Sequence, residues 1–249
     1  MTDNFIKKLI LDGSIPNDNY LSKLPVVKNL INTDIEFHKP VTFFVGENGI
    51  GKSTLIEAMA VSAGFNPEGG TVNFNFSTRE SHSDLYRYLK IARGTRRRTD
   101  GFFLRAESFF NVASNIEELD REPASAPPVI ESYGGVSLHE QSHGESFMAL
   151  VRNRFGGNGL YILDEPEAAL SPSKLMTLLC EIHRLVNKNS QFIISTHSPI
   201  LMAYPNADIY EITQNSISLV PYRQTEHYRI TKEFLNNTDD MLNTLLYEQ

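Results

Sequence analysis

The chain has 249 residues, 23 basic and 30 acidic side chains, one cysteine and no tryptophan. Its 41% hydrophobic and 21% charged content excludes wholesale disorder, and the single Cys180 excludes an internal disulfide or a cysteine-cluster zinc site. A net charge of −7 excludes a globally basic nucleic-acid coat, and no apolar run is long enough to span a bilayer.

The N-terminus, MTDNFIKKLI, lacks the apolar core and cleavage site of a signal peptide, so a cytoplasmic protein is expected. Residues 1–45 read as β-rich. Phe5 to Leu11 is a short apolar stretch ended by Asp12-Gly13. Ile31, Ile35 and Phe37 alternate with Asn32, Asp34 and Glu36, the pattern of a strand with one dry face. Val41 to Val45 is apolar on both sides and predicts a central strand of a parallel sheet. It runs into Gly46-Glu47-Asn48-Gly49 and then a helix carrying Leu55, Ile56 and Met59. Further apolar strands are predicted at Phe102 to Ala106, Leu160 to Leu163 and Phe192 to Ser195, each separated from the next by a helical pattern. The prolines and glycines of Arg121 to Gly135 read as a linker or exposed loop. Ser171-Pro172 supplies an N-cap and a first helical residue, and Leu175, Leu178, Leu179, Ile182 and Leu185 form the buried face of that helix. Ile209 to Ile212 and Ile217 to Val220 flank Gln214-Asn215 as a hairpin, and a polar helical tail follows.

Residues 46–53, GENGIGKS, match G-x-x-x-x-G-K-[ST] at every fixed position, between an apolar strand and an amphipathic helix. Glycines let the backbone curl so that successive N–H groups face one anion, and the helix N-terminus adds positive potential. Gly46, Asn48, Gly49, Gly51, Lys52, Ser53 and Thr54 are therefore the expected nucleotide-binding residues. Lys52 would reach the β- and γ-phosphates, and the Ser53 hydroxyl would ligate Mg²⁺.

Leu160 to Leu163 ends in Asp164-Glu165. Ligands of a parallel sheet bind at the carboxyl ends of its strands, so both acids should face the phosphate loop. Asp164 is expected to hold Mg²⁺. Glu165, one residue on, is expected to polarise a water for attack on the γ-phosphate.

The order of phosphate loop, Ser142-His143-Gly144-Glu145, Asp164-Glu165 and His197 resembles the ATP-binding-cassette (ABC) ATPases. By that resemblance Ser142, Gly144 and Glu145 match the signature motif, which lies a little over twenty residues before the aspartate. His143 replaces the motif's first glycine. Taken alone, the same segment reads equally well as a polar helix cap. His197 resembles the switch histidine, which contacts the γ-phosphate and orients the attacking water. The stretches DEPEAALSP (164–172) and STHSP (195–199) look like the heads of RecF-, RecN- and SMC-type ATPases, and still more like small standalone bacterial ATPases.

The resemblance implies an α/β P-loop NTPase of the ABC type: a mainly parallel central sheet flanked by helices, an antiparallel N-terminal β-subdomain and a helical signature subdomain at about 80–158. It assigns 1–249 to a single domain. It implies ATP and Mg²⁺ as ligands, and a homodimer on ATP binding in which one protomer's signature segment covers its partner's phosphate loop. The glutamine that the family places between the two lobes is missing, and Glu107-Ser108 stands there instead. Tyr20 is available to stack on adenine, where the family often places an upstream aromatic, but surface or core packing is the more ordinary reading of it. The repair-like motifs suggest DNA as the partner, and a defence or toxin-linked ATPase with a separate effector protein is a further reading. A transporter's nucleotide-binding subunit is the alternative. The span from Ser53 to Ser142 lacks sustained heptads, so no coiled-coil arm is expected. The basic run Arg87, Lys90, Arg93, Arg96, Arg97 and Arg98 reads as a solvated face or as a phosphate-backbone contact.

Overall fold

The computed structural model describes residues 3–71, 83–106, 109–121 (backbone only at 110–112, 118 and 121) and 128–247. Strand β1 (Ile6–Leu11) is followed by helix α1 (Pro25–Leu30), the short strand β2 (Ile35–Glu36), β3 (Val41–Val45) and α2 (Lys52–Ser62). Strands β4 (Leu89–Arg93) and β5 (Asp100–Arg105) lead to α3 (Phe109–Arg121) and α4 (His143–Arg154). Then come β6 (Gly159–Asp164), α5 (Pro172–Val186), β7 (Gln191–Ser195) and the single-turn α6 (Pro199–Met202). The hairpin β8 (Asp208–Ile212) and β9 (Ile217–Leu219) precedes α7 (Glu226–Asn236) and α8 (Thr238–Tyr247).

Six strands form one sheet in the order β5-β6-β7-β3-β8-β9. All neighbours in it are parallel except the β8–β9 hairpin. VTFFV takes a central place between β7 and β8 because both of its faces are apolar. Its alternate side chains go to opposite cores. Val41, Phe43 and Val45 join Phe147, Leu150, Leu175, Leu178 and Ile182 of α4 and α5. Phe44 joins Leu55, Ile56 and Met59 of α2 together with Ile6, Leu9 and Ile35. Helices thus cover one face of the sheet, and α2 with an antiparallel sheet of order β2-β1-β4 covers the other.

Three sequence expectations change. Ile31 does not belong to a strand: it is 66% exposed and caps α1, and only Ile35–Glu36 pairs with β1. Pro25 at the first helical position, with Val26, Val27 and Leu30 on one face, makes the preceding segment helical and ends it there. The antiparallel sheet draws its third strand, β4, from residues 89–93, inside the stretch expected to be a helical lobe. The Arg121 to Gly135 stretch is not wholly an exposed loop. Val129–Tyr133 forms a 3₁₀ turn that buries Tyr133, and the Asp120 carboxylate accepts the Ile130 N–H at 2.8 Å. Glu107-Ser108 and residues 72–82 lie outside the described residues. No helix among those described is long and apolar enough to cross a membrane.

Candidate active site

The phosphate loop leaves β3 at Gly46, whose φ is 145°. A Cβ there would stand 2.2 Å from the Ile212 carbonyl oxygen, so the chain passes β8 only as glycine. Asn48 and Gly49 form the exposed crest. Helix α1 braces the far side: Val26 donates its N–H to Ile50 O at 3.1 Å and packs its side chain on Gly51. Ser53 and Thr54 are half-buried in the first turn of α2, where N–H groups have no intrahelical acceptor.

Lys52 is 4% exposed and folds back on its own loop, donating from Nζ to Gly46 O at 2.8 Å and Glu47 O at 2.9 Å. Burial pushes its ammonium pKa down, against the pull of Glu165, Asp164 and Glu167.

Strand β6 delivers Asp164 to the same end of the sheet. Its buried carboxylate accepts from the Ser195 hydroxyl of β7, and it faces the Arg105 guanidinium, Nε to Oδ2, at 3.4 Å. Burial pushes the Asp164 carboxyl up, and the Ser195, Arg105 and Ser53 contacts oppose that shift. A hydroxyl and a carboxylate are the hard oxygen donors that Mg²⁺ takes, and Ser53 lies close enough to lower the Asp164 carboxyl pKa, so these residues fit that ion.

Glu165 is left-handed (φ 48°, ψ 54°), a sparsely populated conformation for a non-glycine residue. Its N–H is held by Ser195, at 3.2 Å from the carbonyl and 3.3 Å from Oγ. The turn swings its side chain away from that of Asp164 towards His197, whose Nε2 lies 3.5 Å from Glu165 Oε1. The His197 N–H donates to the carboxylate of the half-buried Glu167. The His197 ring is neutral, its pKa pushed down to about 4 by burial, the Lys52 charge and His227. His227, on α7, places Nε2 2.9 Å from His197 Nδ1.

The expected residues of the loop, Asp164, Glu165 and His197 therefore converge at the carboxyl ends of β3, β6 and β7. Ser142, Gly144 and Glu145 do not join them within the chain. They begin α4, where the Glu145 carboxylate accepts the Ser142 N–H at 3.1 Å and also its hydroxyl, a helix-capping arrangement. Gly144 packs on Ala169 and Lys174: a Cβ there would meet Ala169 O at 2.9 Å. Tyr20 is exposed at the start of a 3₁₀ turn.

Sequence reasoning missed three residues. Arg105 bridges Asp164 and Glu57, the latter at 2.6 Å. It ends β5 in register with Asp164 at the end of β6, so two adjacent apolar strands closing on polar residues were the available signal. Glu167 anchors His197, and nothing local in the sequence announces that contact. His227 lies in a tail whose pattern gave no reason to look towards the site.

The basic run lies at the opposite end of the sheet. Arg96 reaches Asn158, just before β6, and Asn189 O, just before β7. Arg96 stacks on Phe5 and Arg98 on Phe65, while Arg87 pairs with Asp84 and Lys90 with Asp12. Much of that charge braces the fold.

A glycine-cradled loop on a parallel sheet, with an acid-tipped strand two places away across β7, defines a P-loop nucleoside-triphosphatase. Two family models match the chain: "AAA domain" over residues 27–121, and "AAA domain, putative AbiEii toxin, Type IV TA system" over residues 131–203. The cobalt import ATP-binding protein CbiO of Salmonella typhimurium is 27% identical over 204 residues, 78% of this chain and 74% of that protein. The structure of cbiO1 from Clostridium perfringens, part of the ABC transporter complex cbiONQ, superposes with a TM-score of 0.50 at 14% identity, covering 95% of this chain and 97% of that one. The SMC head domain from Thermotoga maritima gives 0.45 at 17% identity, over 87% and 98% of the two chains. The chain is an ATP-binding P-loop ATPase, similar to those of the ABC type.

Proposed function

We propose that the chain is a nucleotide-dependent dimerisation switch, closed by ATP and opened by its hydrolysis. The observation that carries the chemistry is the meeting of Lys52, Ser53, Asp164, Glu165 and His197 at one end of the sheet. Lys52 exchanges the carbonyls of Gly46 and Glu47 for the β- and γ-phosphate oxygens. Ser53 and Asp164 would hold Mg²⁺, whose charge would offset that developing on the phosphates. Glu165 takes the proton of the attacking water as its oxygen bonds to the γ-phosphorus and the bond to ADP breaks. His197 orients the γ-phosphate.

The location of Ser142, Gly144 and Glu145, on a separate helix start away from this cluster, supports the dimer. A helix start, whose N–H groups favour an anion, suits a two-fold partner whose phosphate loop it covers. Glu165→Gln tests the reading. That variant is expected to bind ATP, turn over slowly and migrate as a dimer with ATP. A monomer with ATP bound would overturn the switch.

The working partner is DNA or an effector protein in this reading, by resemblance of residues 164–172 and 195–199 to repair-type heads. The likeness to a cobalt import subunit favours a second reading, the nucleotide-binding subunit of a transporter. ATPase rates with and without duplex DNA test the first: stimulation by DNA supports it, and indifference to DNA leaves an effector protein or a transporter partner.

A further inference from the structure

Helices α7 and α8 expose Ile230, Leu235, Leu245 and Leu246 and bury no residue fully. Yet α7 is set firmly at its start. Thr225 is fully buried and its hydroxyl caps the helix by accepting the Tyr228 N–H, while the Glu226 N–H donates to the Glu211 carboxylate of β8 at 3.1 Å. This anchoring brings His227, half-buried, against His197.

The two ring nitrogens of His197 face different demands. A neutral imidazole carries one donor and one acceptor. Nε2 is buried, has no hydrogen-bond partner among the described residues, and lies nearest the Glu165 carboxylate, which only accepts. A γ-phosphate entering beside Lys52 is likewise an acceptor. If Nε2 were the bare nitrogen, its lone pair would oppose both anions. Nε2 therefore carries the proton, and Nδ1 must be the acceptor. The group opposite Nδ1 is His227 Nε2, and His227 Nδ1 is itself buried without a partner among the described residues, consistent with a bare nitrogen there.

We propose that His227 is a positioning residue for ATP hydrolysis: its Nε2–H, donated to His197 Nδ1, holds His197 in the tautomer that presents Nε2–H to the γ-phosphate. The role rests on the reading of His197 as the γ-phosphate contact. It makes the C-terminal helix pair an input to turnover, since anything that shifts α7 withdraws the donor.

The test compares wild type with His227→Phe, which keeps the ring shape without the donor, and His227→Gln, whose amide N–H replaces Nε2–H. His227→Phe is expected to lower kcat by roughly tenfold or more, as loss of an orienting partner does, with KM for ATP within about twofold. His227→Gln should restore most of kcat. Nitrogen-15 spectra of ¹⁵N-histidine-labelled wild type should show His197 protonated at Nε2, and His227→Phe should mix the tautomers. A wild-type His197 protonated at Nδ1 overturns the proposal, even if no variant folds. So does a His227→Phe enzyme as fast as wild type, or a His227→Gln enzyme as slow as His227→Phe. His197→Ala separates the two readings: undiminished turnover there removes His197 from the mechanism and the proposal with it. Loss of turnover there, with His227→Phe unaffected, removes only His227.

Discussion

Arg105 Nε lies 3.4 Å from Asp164 Oδ2, so a cation from the end of β5 faces the acid at the end of β6. The same guanidinium holds Glu57 Oε2 of α2 at 2.6 Å through Nη1. Glu57 in turn accepts the Ser83 N–H at 2.8 Å, which ties down the chain ahead of β4. One residue thus links the acid-tipped strand, the helix after the phosphate loop and the entry to the antiparallel sheet.

Arg105→Met should leave both carboxylates without their shared cation in a largely buried place. Breaking such a pair from one side costs about 3 kcal/mol, because the remaining charge stays desolvated. The expected result is a lower urea midpoint with an unchanged slope. Adding Glu57→Gln should recover part of the loss. An unchanged midpoint in the single variant would show that the bridge contributes nothing.

Lys52→Ala removes the ammonium that now bonds Gly46 O and Glu47 O. Charge-assisted hydrogen bonds are worth about 1.5–3 kcal/mol each, so ATP affinity should fall by roughly 10- to 100-fold. Calorimetric titration with ATP measures this. Wild-type affinity in the variant would contradict the assignment of the loop.

The pH behaviour of His197 follows from its surroundings. Its pKa is pushed down to about 4 from the ordinary 6.5, with burial as the main cause and the Lys52 charge and neighbouring His227 adding to it. Burial and Lys52 also push His227 down, against the pull of Glu226 and Glu211. Between pH 6.5 and 4 the unfolded chain takes up a proton that the folded chain refuses, so stability should fall as pH drops through this window and level off below it. NMR titration of the His197 ring should give a midpoint near 4, rising in Lys52→Ala. A midpoint at 6.5 would mean that the ring is open to water.

Gly144→Ala forces a Cβ against Ala169 O, at 2.9 Å, and against the Lys174 side chain, at 3.1 Å. Lys174 can yield, but the carbonyl belongs to the turn that follows Glu165. A cost of about 1–2 kcal/mol is expected, in line with overpacking elsewhere. Thermal unfolding checks it. A change below about 0.3 kcal/mol would show that the turn adapts, and that packing does not require a glycine there.

Much of this was legible in the residues. VTFFV and YILD announce buried parallel strands because both faces of such strands are dry, and GENGIGKS announces its turn because glycine spacing is a backbone property. Ser171-Pro172 started its helix as expected, the Ser171 hydroxyl accepting the Lys174 N–H. Ile31 misled because a period-2 pattern over a few residues also arises where a short helix runs out. The Ser142 to Glu145 segment shows the limit of a motif. Its capping hydrogen bonds are local to the start of α4, whereas any contact with a partner's nucleotide lies outside one chain.

The sequence alone determined what depends on near neighbours along the chain: the phosphate-binding loop, the dry strands that carry it, and the acid pair at the end of β6. Tertiary structure decided which distant groups meet there. Arg105 joins Glu57 and Asp164, Glu167 seizes the His197 N–H, and His227 arrives from the tail. The reason is physical. Periodicity reports which side of its own element a residue occupies, but strand order and helix placement select its partner, and those are set by burial of the whole sheet.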